Sequence, residues 1–306
     1  MYYNLQGFGE EICSIRNSLG LTQKDVCELS GIHIDTLRKI EHGKVMPVQE
    51  TLDLVSPILK KDLNKLLLDY RINNYSAFQE IKNRLESKID RDEYQTLSVE
   101  LNNLKTLLNT ESNTYFIGLL NQLILLTESI ILTEKYGKLN ESLDKLIEAI
   151  KITTPEFSLD NYESFVYSSM ELRILMNIAL LINNIESIEK SLEIMEFCMK
   201  IVEPNENIYP KICYNLSYTY HRLDIHEQAL KYSNLGIEYC TKYRDYNGLN
   251  LLYFRKGIAE YLIGYKSYMD SLKKCIYFCE VLDQHELKDM VIRNCKKFYN
   301  IDILLD

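Results

Sequence analysis

The chain has 306 residues, 46% of them hydrophobic and 26% charged, which is length enough for two domains with substantial cores. A formal net charge of -9 excludes a protein that coats nucleic acid over its whole surface, because phosphate contacts need clustered Lys and Arg, yet it allows a small DNA-reading head on an acidic body. Eight cysteines without a CxxC pair or histidines at ligand spacing argue against metal and redox centres, and only 5 Pro and 11 Gly interrupt a pattern that is helical throughout.

Phe8 to Leu19 predicts a first helix with Ile12, Ile15 and Leu19 inward. Leu21 to Lys44 then has the layout of a helix-turn-helix. Thr22 with Asp25 three residues later is a capping box, opening a helix whose buried stripe is Val26 and Leu29. Gly31 supplies the positive φ of a sharp turn, and the next run carries Leu37 and Ile40 inward. Two short helices around such a turn are the unit that lays its second helix in a major groove. Its outward face is Asp35, Thr36, Arg38, Lys39 and His42. Arg38 and Lys39 reach guanine edges or phosphates, Asp35 accepts from a cytosine amino group, and Thr36 or Ile34 touches a thymine methyl, although Asp35 and Ile34 serve equally as cap and packing residues. Gln23, His33 and Lys44, at the ends of the two helices, complete the candidate DNA-binding set.

Gln49 to Leu59 predicts a fourth helix with Leu52 and Val55 inward, and Pro57 either ends it near Ser56 or kinks it. Lys60 to Tyr70 reads as a linker helix with Leu63, Leu66 and Leu67 on one face, and Asn73-Asn74 as the joint between head and body. The expected division is 1–66 for a DNA-binding domain, 67–74 for a linker and 75–306 for a ligand-binding and dimerisation domain. Within the head, Arg16, Lys24, Arg38, Lys39, Lys44, Lys60, Lys61 and Lys65 are balanced by a similar number of carboxylates.

No basic-then-apolar leader opens the chain, and its longest apolar run, Phe116 to Leu126, is broken by Asn121 and Gln122, so a cytoplasmic protein without a membrane partner is expected. From residue 75 the runs repeat. Asn177, Asn215 and Gly257 each precede a small residue followed by Leu at the same spacing (177 to 191, 215 to 229, 257 to 271), and Ser142-Leu143 repeats the pair after a turn at Gly137. Anchors at 177, 215 and 257 give a period slightly longer than the roughly 34 residues of a tetratricopeptide repeat. The fold expected is all-α: a five-helix phage-repressor-like domain, then a right-handed tetratricopeptide-like solenoid of about five hairpins closed by a cap over Lys273 to Leu305.

Such solenoids present a groove lined by the first helix of each pair, suited to extended peptides. Repeat register places Arg173, Asn177, Asn184, Lys211, Tyr214, Asn215, Tyr218, His221, Arg222, Tyr253 and Lys256 there, with Glu128 and Glu260 at matching positions. A bidentate Asn satisfies peptide amides and carbonyls. Arg173, Lys211 and Arg222 suit a carboxylate, and Tyr214 and Tyr218 an apolar side chain. Asn on a helix is as often simply solvated, and the 23 Tyr in a chain without Trp also serve as core residues. No nucleophile–base pair, phosphate loop or metal cluster occurs, so neither an enzyme nor a cofactor is expected.

Residues 8–60 resemble the phage-repressor, Cro and XRE-type helix-turn-helix family through Arg16, Gly20-Leu21-Thr22-Gln23, Gly31, Ile40-Glu41 and Gly43-Lys44. The resemblance implies a structural ion pair between Arg16 and Glu41, and a phosphate contact by Gln23. With Glu171 to Leu282 (ELRILMNIALL, then NLSYTY and EQAL, then LYFRKGIAEYLIG) the whole chain resembles the RRNPP family of quorum-sensing transcription regulators, of Rgg, PlcR and PrgX type. That implies a homodimer reading a two-fold operator in double-stranded DNA while a short signalling peptide occupies the groove, with the family's groove Asn residues at Asn177 and Asn215. The alternative is a regulator whose repeats dock a protein partner and bind no small peptide.

Overall fold

The computed structural model describes residues 3–70, 75–90, 93–111, 113–246 and 248–303, and every regular element among them is a helix. Backbone packing divides the chain into two units, Met1–Leu85 with Asn102–Leu120, and Glu86–Leu101 with Asn121–Asp306. The expected joint at Asn73-Asn74 lies outside the described residues.

The first unit contains α1 (Leu5–Ser18), α2 (Gln23–Ser30), α3 (Ile34–Glu41), α4 (Gln49–Leu59) and α5 (Leu63–Asp69). α1 starts before Phe8 because the Asn4 side chain accepts from the Gly7 amide at 3.0 Å and caps an earlier turn. Phe8, Ile12, Val26, Leu37, Ile40, Leu52 and Val55 form one core. Leu19, the C-cap of α1, and Leu29, both expected inward, are exposed; in α2, only two turns long, Val26 and Cys27 take the inward positions. At Gly9 a Cβ would lie 2.5 Å from the carbonyl oxygens of Ile40 and Glu41, so α1 and α3 meet backbone to backbone.

α4 runs through Pro57 to Leu59 and does not end at Ser56. The Ser56 hydroxyl donates to the Leu52 carbonyl at 2.6 Å and accepts from the Leu63 amide at 3.0 Å, which ties the helix end to the start of α5. Leu63, Leu66 and Leu67 are buried in the head core, and Tyr70 packs edge-on against Phe8 at 5.8 Å. The segment expected as a linker helix is therefore the fifth helix of this core.

α6 (Tyr75–Asp90), α7 (Leu97–Thr110) and α8 (Thr114–Tyr136) follow, and each spans a boundary between the two units. The second unit continues with α9 (Leu139–Lys151), then the antiparallel pairs α10 (Ser169–Ile185) with α11 (Ile188–Ile201), α12 (Tyr209–Arg222) with α13 (His226–Tyr243), and α14 (Leu249–Ile263) with α15 (Tyr268–Val281), and ends with α16 (His285–Tyr299). The small residues of the repeat sit where paired helices touch. Ser142 donates to the Ser129 carbonyl at 2.9 Å, Ser191 to the Ala179 carbonyl at 2.6 Å, Ser217 to the Ala229 carbonyl at 2.8 Å and Ser271 to Glu260 at 2.7 Å. These buried hydroxyls cross-link the two helices of a pair at a separation only a small side chain permits. A Cβ at Gly257 would lie 2.7 Å from the Leu272 side chain, so α14 and α15 are equally close. Because α15 is the partner of α14, Lys273 to Val281 belongs to the last pair and α16 alone follows it, a shorter cap than expected; Leu305 lies outside the described residues.

α8 also departs from expectation. Its 23 residues are long and apolar enough to cross a membrane, because Asn121 and Gln122 interrupt the run without making it polar, and half of that stretch is buried inside the protein. Gln122 is buried, donating to the Ala149 carbonyl at 3.2 Å and the Thr153 hydroxyl at 2.8 Å. An amide that reads as an interruption in sequence is a hydrogen-bonded core group in the fold.

Candidate functional site

In the head, the Thr22 side chain accepts from the Asp25 amide, and the Asp25 carboxylate accepts from the Thr22 amide and hydroxyl, both at 2.7 Å, two bonds that hold the Asp25 carboxyl below its ordinary pKa. Gly31 closes α2 at φ 75°. His33 caps α3, its Nδ1 accepting from the Asp35 amide at 3.2 Å. The Arg16 guanidinium grips Glu41 with both ends: Nε donates to Oε1 at 2.6 Å and Nη2 to Oε2 at 3.0 Å. Its Nη1 donates to the Leu21 carbonyl at 2.8 Å, so one side chain ties α1 to the α2 approach and to the end of α3. Gln23, at the first turn of α2, donates its amide to Glu41 at 2.7 Å.

This clamp fixes the orientation of α3. Leu37 and Ile40 are buried; Asp35, Arg38, Lys39 and His42 are exposed, as are His33 and Lys44 beside the helix, and Ile34 and Thr36 are half-buried. Asp35 pairs with Arg38 at 3.2 Å, and His42 Nδ1 lies 2.6 Å from the Arg38 carbonyl. The face offers exposed cations on a rigid two-turn helix, with one carboxylate among them. Such a surface attracts phosphates and presents forked donors to base edges.

In the second unit a cavity of about 760 Å³ is lined by α8, α10, α12, α14 and α16, with Ile89 and Tyr94. That volume falls within the roughly 300–1,000 Å³ of ligand pockets. It brings together Arg173, Asn177, Lys211, Tyr214, Asn215, Tyr218, His221 and Arg222 of the residues placed there by repeat register. Asn184, Tyr253 and Lys256 are not on its wall. Asn184 donates to the Leu180 carbonyl at 3.3 Å near the end of α10. Tyr253 stacks on Phe278 at 5.7 Å, and Lys256 faces Glu260 at 3.9 Å. Glu128 lies 3.5 Å from Lys145. On α14 the wall is instead Leu251, Leu252, Phe254 and Arg255, because a register slip of one residue turns a helix face by about 100°.

Polar groups on the wall are mostly committed to one another. Arg173 pairs with Glu86 at 2.6 Å, and the Asn177 amide donates back to the Arg173 carbonyl at 2.8 Å. The Asn215 amide lies 3.5 Å from the Met176 sulfur. Arg255 lies over the ring of Tyr218 at 4.4 Å and that of Tyr214 at 5.2 Å, and donates to the Tyr214 hydroxyl at 3.1 Å. His221 Nε2 is 2.9 Å from the Tyr299 hydroxyl. Burial, then the Arg255 charge and the neighbouring His226 ring, push the His221 pKa down to about 4.

That shift carries a pH prediction. A histidine held neutral by the fold contributes stability that is complete above its ordinary pKa of 6.5 and is lost as pH falls toward 4. Stability of the body against urea should fall progressively as pH drops across that window, and His221→Gln should flatten the slope there. An unchanged slope in the variant would remove His221 as its cause.

A helix-turn-helix family model matches residues 14–66. A search of curated proteins by sequence finds no match. Among solved structures, Bacillus thuringiensis PlcR in complex with the peptide PapR7 and DNA is similar at 19% identity and TM-score 0.72, over 94% of this chain and 99% of that one. ComR from S. thermophilus, in complex with DNA and its signalling peptide ComS, is 16% identical with TM-score 0.60 over 93% and 97%. The Streptococcus dysgalactiae SHP pheromone receptor Rgg2 is 9% identical with TM-score 0.58 over 95% and 99%. Residues 14–66 are thus a helix-turn-helix domain, and the chain as a whole has the fold of the PlcR, ComR and Rgg2 structures, a helix-turn-helix head followed by a tetratricopeptide-like helical body.

Proposed function

We propose that this chain is a cytoplasmic, peptide-responsive transcription regulator that binds two-fold DNA sites as a homodimer through α3 and senses a short peptide in the cavity of its second unit. The observation that carries this reading is the cavity itself, lined by successive inner helices with tyrosines, asparagines and arginines, in a chain whose other unit carries a helix-turn-helix with an exposed cationic face. The PlcR and ComR structures, each solved with DNA and a peptide, support the pairing of those two ligands. We place the DNA-binding head at 1–70, so that the linker expected at 67–74 gives up Leu67 to Tyr70 to the head core, and the sensing and dimerisation domain at 75–306. Control by peptide requires different affinities for two arrangements of the heads, since equal affinity shifts nothing.

The head prediction is tested by mobility shift on the protein's own promoter. Arg38→Ala and Lys39→Ala should each weaken binding by about 1–3 kcal/mol where the side chain reads a base, or lower the salt dependence by about one counterion where it holds phosphate. Two variants that shift DNA like the wild type at all salt concentrations would mean that another face reads the operator.

A further inference from the structure

The cations on the cavity wall differ in what balances them. Arg173 is neutralised by Glu86, Lys211 has a partner of its own, and Arg222 is exposed at the rim beside Tyr218. Arg255 is half-buried, and among the described residues no carboxylate pairs with it. Its guanidinium is held instead by the faces of Tyr214, Tyr218 and Phe254, at 5.2, 4.4 and 5.3 Å, with one bond to the Tyr214 hydroxyl. Its Nε is buried without a hydrogen-bond partner, as is Nδ1 of the adjacent His221. Ring faces recover only part of the solvation a guanidinium loses on burial, and an orphaned buried donor costs more. Such a site is incomplete until an anion enters, and a planar fork fits a carboxylate best.

We propose that Arg255 is the anion anchor of the cavity, and that the ligand is a short peptide whose carboxylate pairs with this guanidinium above the floor of Tyr214 and Tyr218. This rests on the peptide-sensor reading above and names the ligand chemistry that reading leaves open. The carboxylate is the C-terminus or an Asp or Glu side chain. Either one places an apolar neighbour of the ligand against the tyrosine rings, where a charge and an apolar contact are recognised together.

The test is affinity selection on the full-length protein with random hexapeptide pools made as C-terminal acids and as C-terminal amides, each with and without Asp and Glu, read by mass spectrometry. Retention of free acids that lack acidic side chains assigns the C-terminus, and retention of amides that contain Asp or Glu assigns the side chain. Affinity of the retained peptides should fall about 10- to 100-fold with Arg255→Gln and less with Arg255→Lys, the loss of a charge-assisted bond. Equal retention of uncharged amides by the wild type, which needs no variant to fold, overturns the anchor while leaving the peptide sensor standing. So does an Arg255→Gln protein that melts like the wild type and keeps its acidic ligands at unchanged affinity. Retention of no peptide by the wild type overturns the peptide sensor and the anchor with it.

Discussion

Replacing Arg16 with Ala should destabilise the head by about 3–5 kcal/mol, a large share of the roughly 5–15 kcal/mol that holds a domain folded. The reason is what the substitution leaves behind. Side-chain exposure is 9% for Arg16 and 3% for Glu41, so the pair is buried, and deletion strands the Glu41 carboxylate with the Gln23 amide as its remaining charge-stabilising partner. The Glu41 bond is also what raises the Arg16 pKa above its ordinary value, against the opposing effect of burial. The damage will be local. Native-state hydrogen exchange should show amides of α1, α2 and α3 losing protection while those of α12 to α15 keep theirs. A double variant, Arg16→Met with Glu41→Leu, removes both charges and should recover much of the loss, because the cost lies in the unpaired charge more than in the missing pair. An Arg16→Ala protein with head protection within about 1 kcal/mol of wild type would contradict a buried clamp. DNA binding should fall with head stability, since α3 is held by this clamp at its C-terminal end.

Glu171 is the corresponding pin of the body. Its Oε1 accepts from the Thr153 and Thr154 hydroxyls at 2.6 and 2.8 Å, and its Oε2 accepts from the Ser168 amide and hydroxyl, both at 2.8 Å. One carboxylate thereby closes the capping box of α10 and fastens the turn after α9 to it. Burial raises its pKa, but the donors from Thr153, Ser168 and Thr154 outweigh burial, and the net shift is downward from 4.5. A carboxylate with a lowered folded pKa contributes stability that is complete above the unfolded value and is lost as pH falls through the folded one. The contribution should therefore be full at pH 7, begin to fall near 4.5 and be lost only as pH passes the lower folded value. Glu171→Ala should cost about 1.5–3 kcal/mol at neutral pH, since four donors lose one charged acceptor. Glu171→Gln should cost less, but its NH2 group cannot accept from Ser168. Urea titrations at pH 7, 4 and 3 should show the gap between wild type and Glu171→Gln closing as acid is added, and a gap independent of pH would argue against ionised Glu171 as the stabilising group.

The head was the more legible half because its determinants are local. A capping box links atoms three residues apart, Gly31 sets its own φ, and Leu37 and Ile40 share a face by helix periodicity, so Thr22 to Ile40 could be assigned without knowing what packs on them. The same spacing at Ser168 and Glu171 is equally local, but what makes it matter is Thr153 and Thr154, which only folding brings to the carboxylate. Local rules also mislead at Pro57, where the Ser56 hydroxyl holds the helix end, and at Gln122, whose amide looks like a break in an apolar run until its partners on and after α9 are known.

The cavity shows where sequence stops. Repeat anchors bring Arg173, Asn177, Tyr214, Asn215 and Tyr218 of α10 and α12 to one wall, but not Asn184 of α10. On α14, alignment through Gly257 puts Tyr253 and Lys256 inward, whereas the wall carries Arg255. Nothing in a single helix decides that register, because α14 is apolar around most of its circumference and its rotation is set by the close approach at Gly257 to Leu272. Residue order alone was enough for an all-helical chain, the helix-turn-helix with its exposed cationic face, and the repeat spacing, because each follows from contacts within about one helical turn. Long-range packing was needed to bring α5 into the head core, to turn Asn184, Tyr253 and Lys256 away from the cavity, and to turn Arg255 into it without a carboxylate partner among the described residues. Those outcomes depend on how whole helices rotate and stack, and packing energy between surfaces distant in sequence sets that rotation.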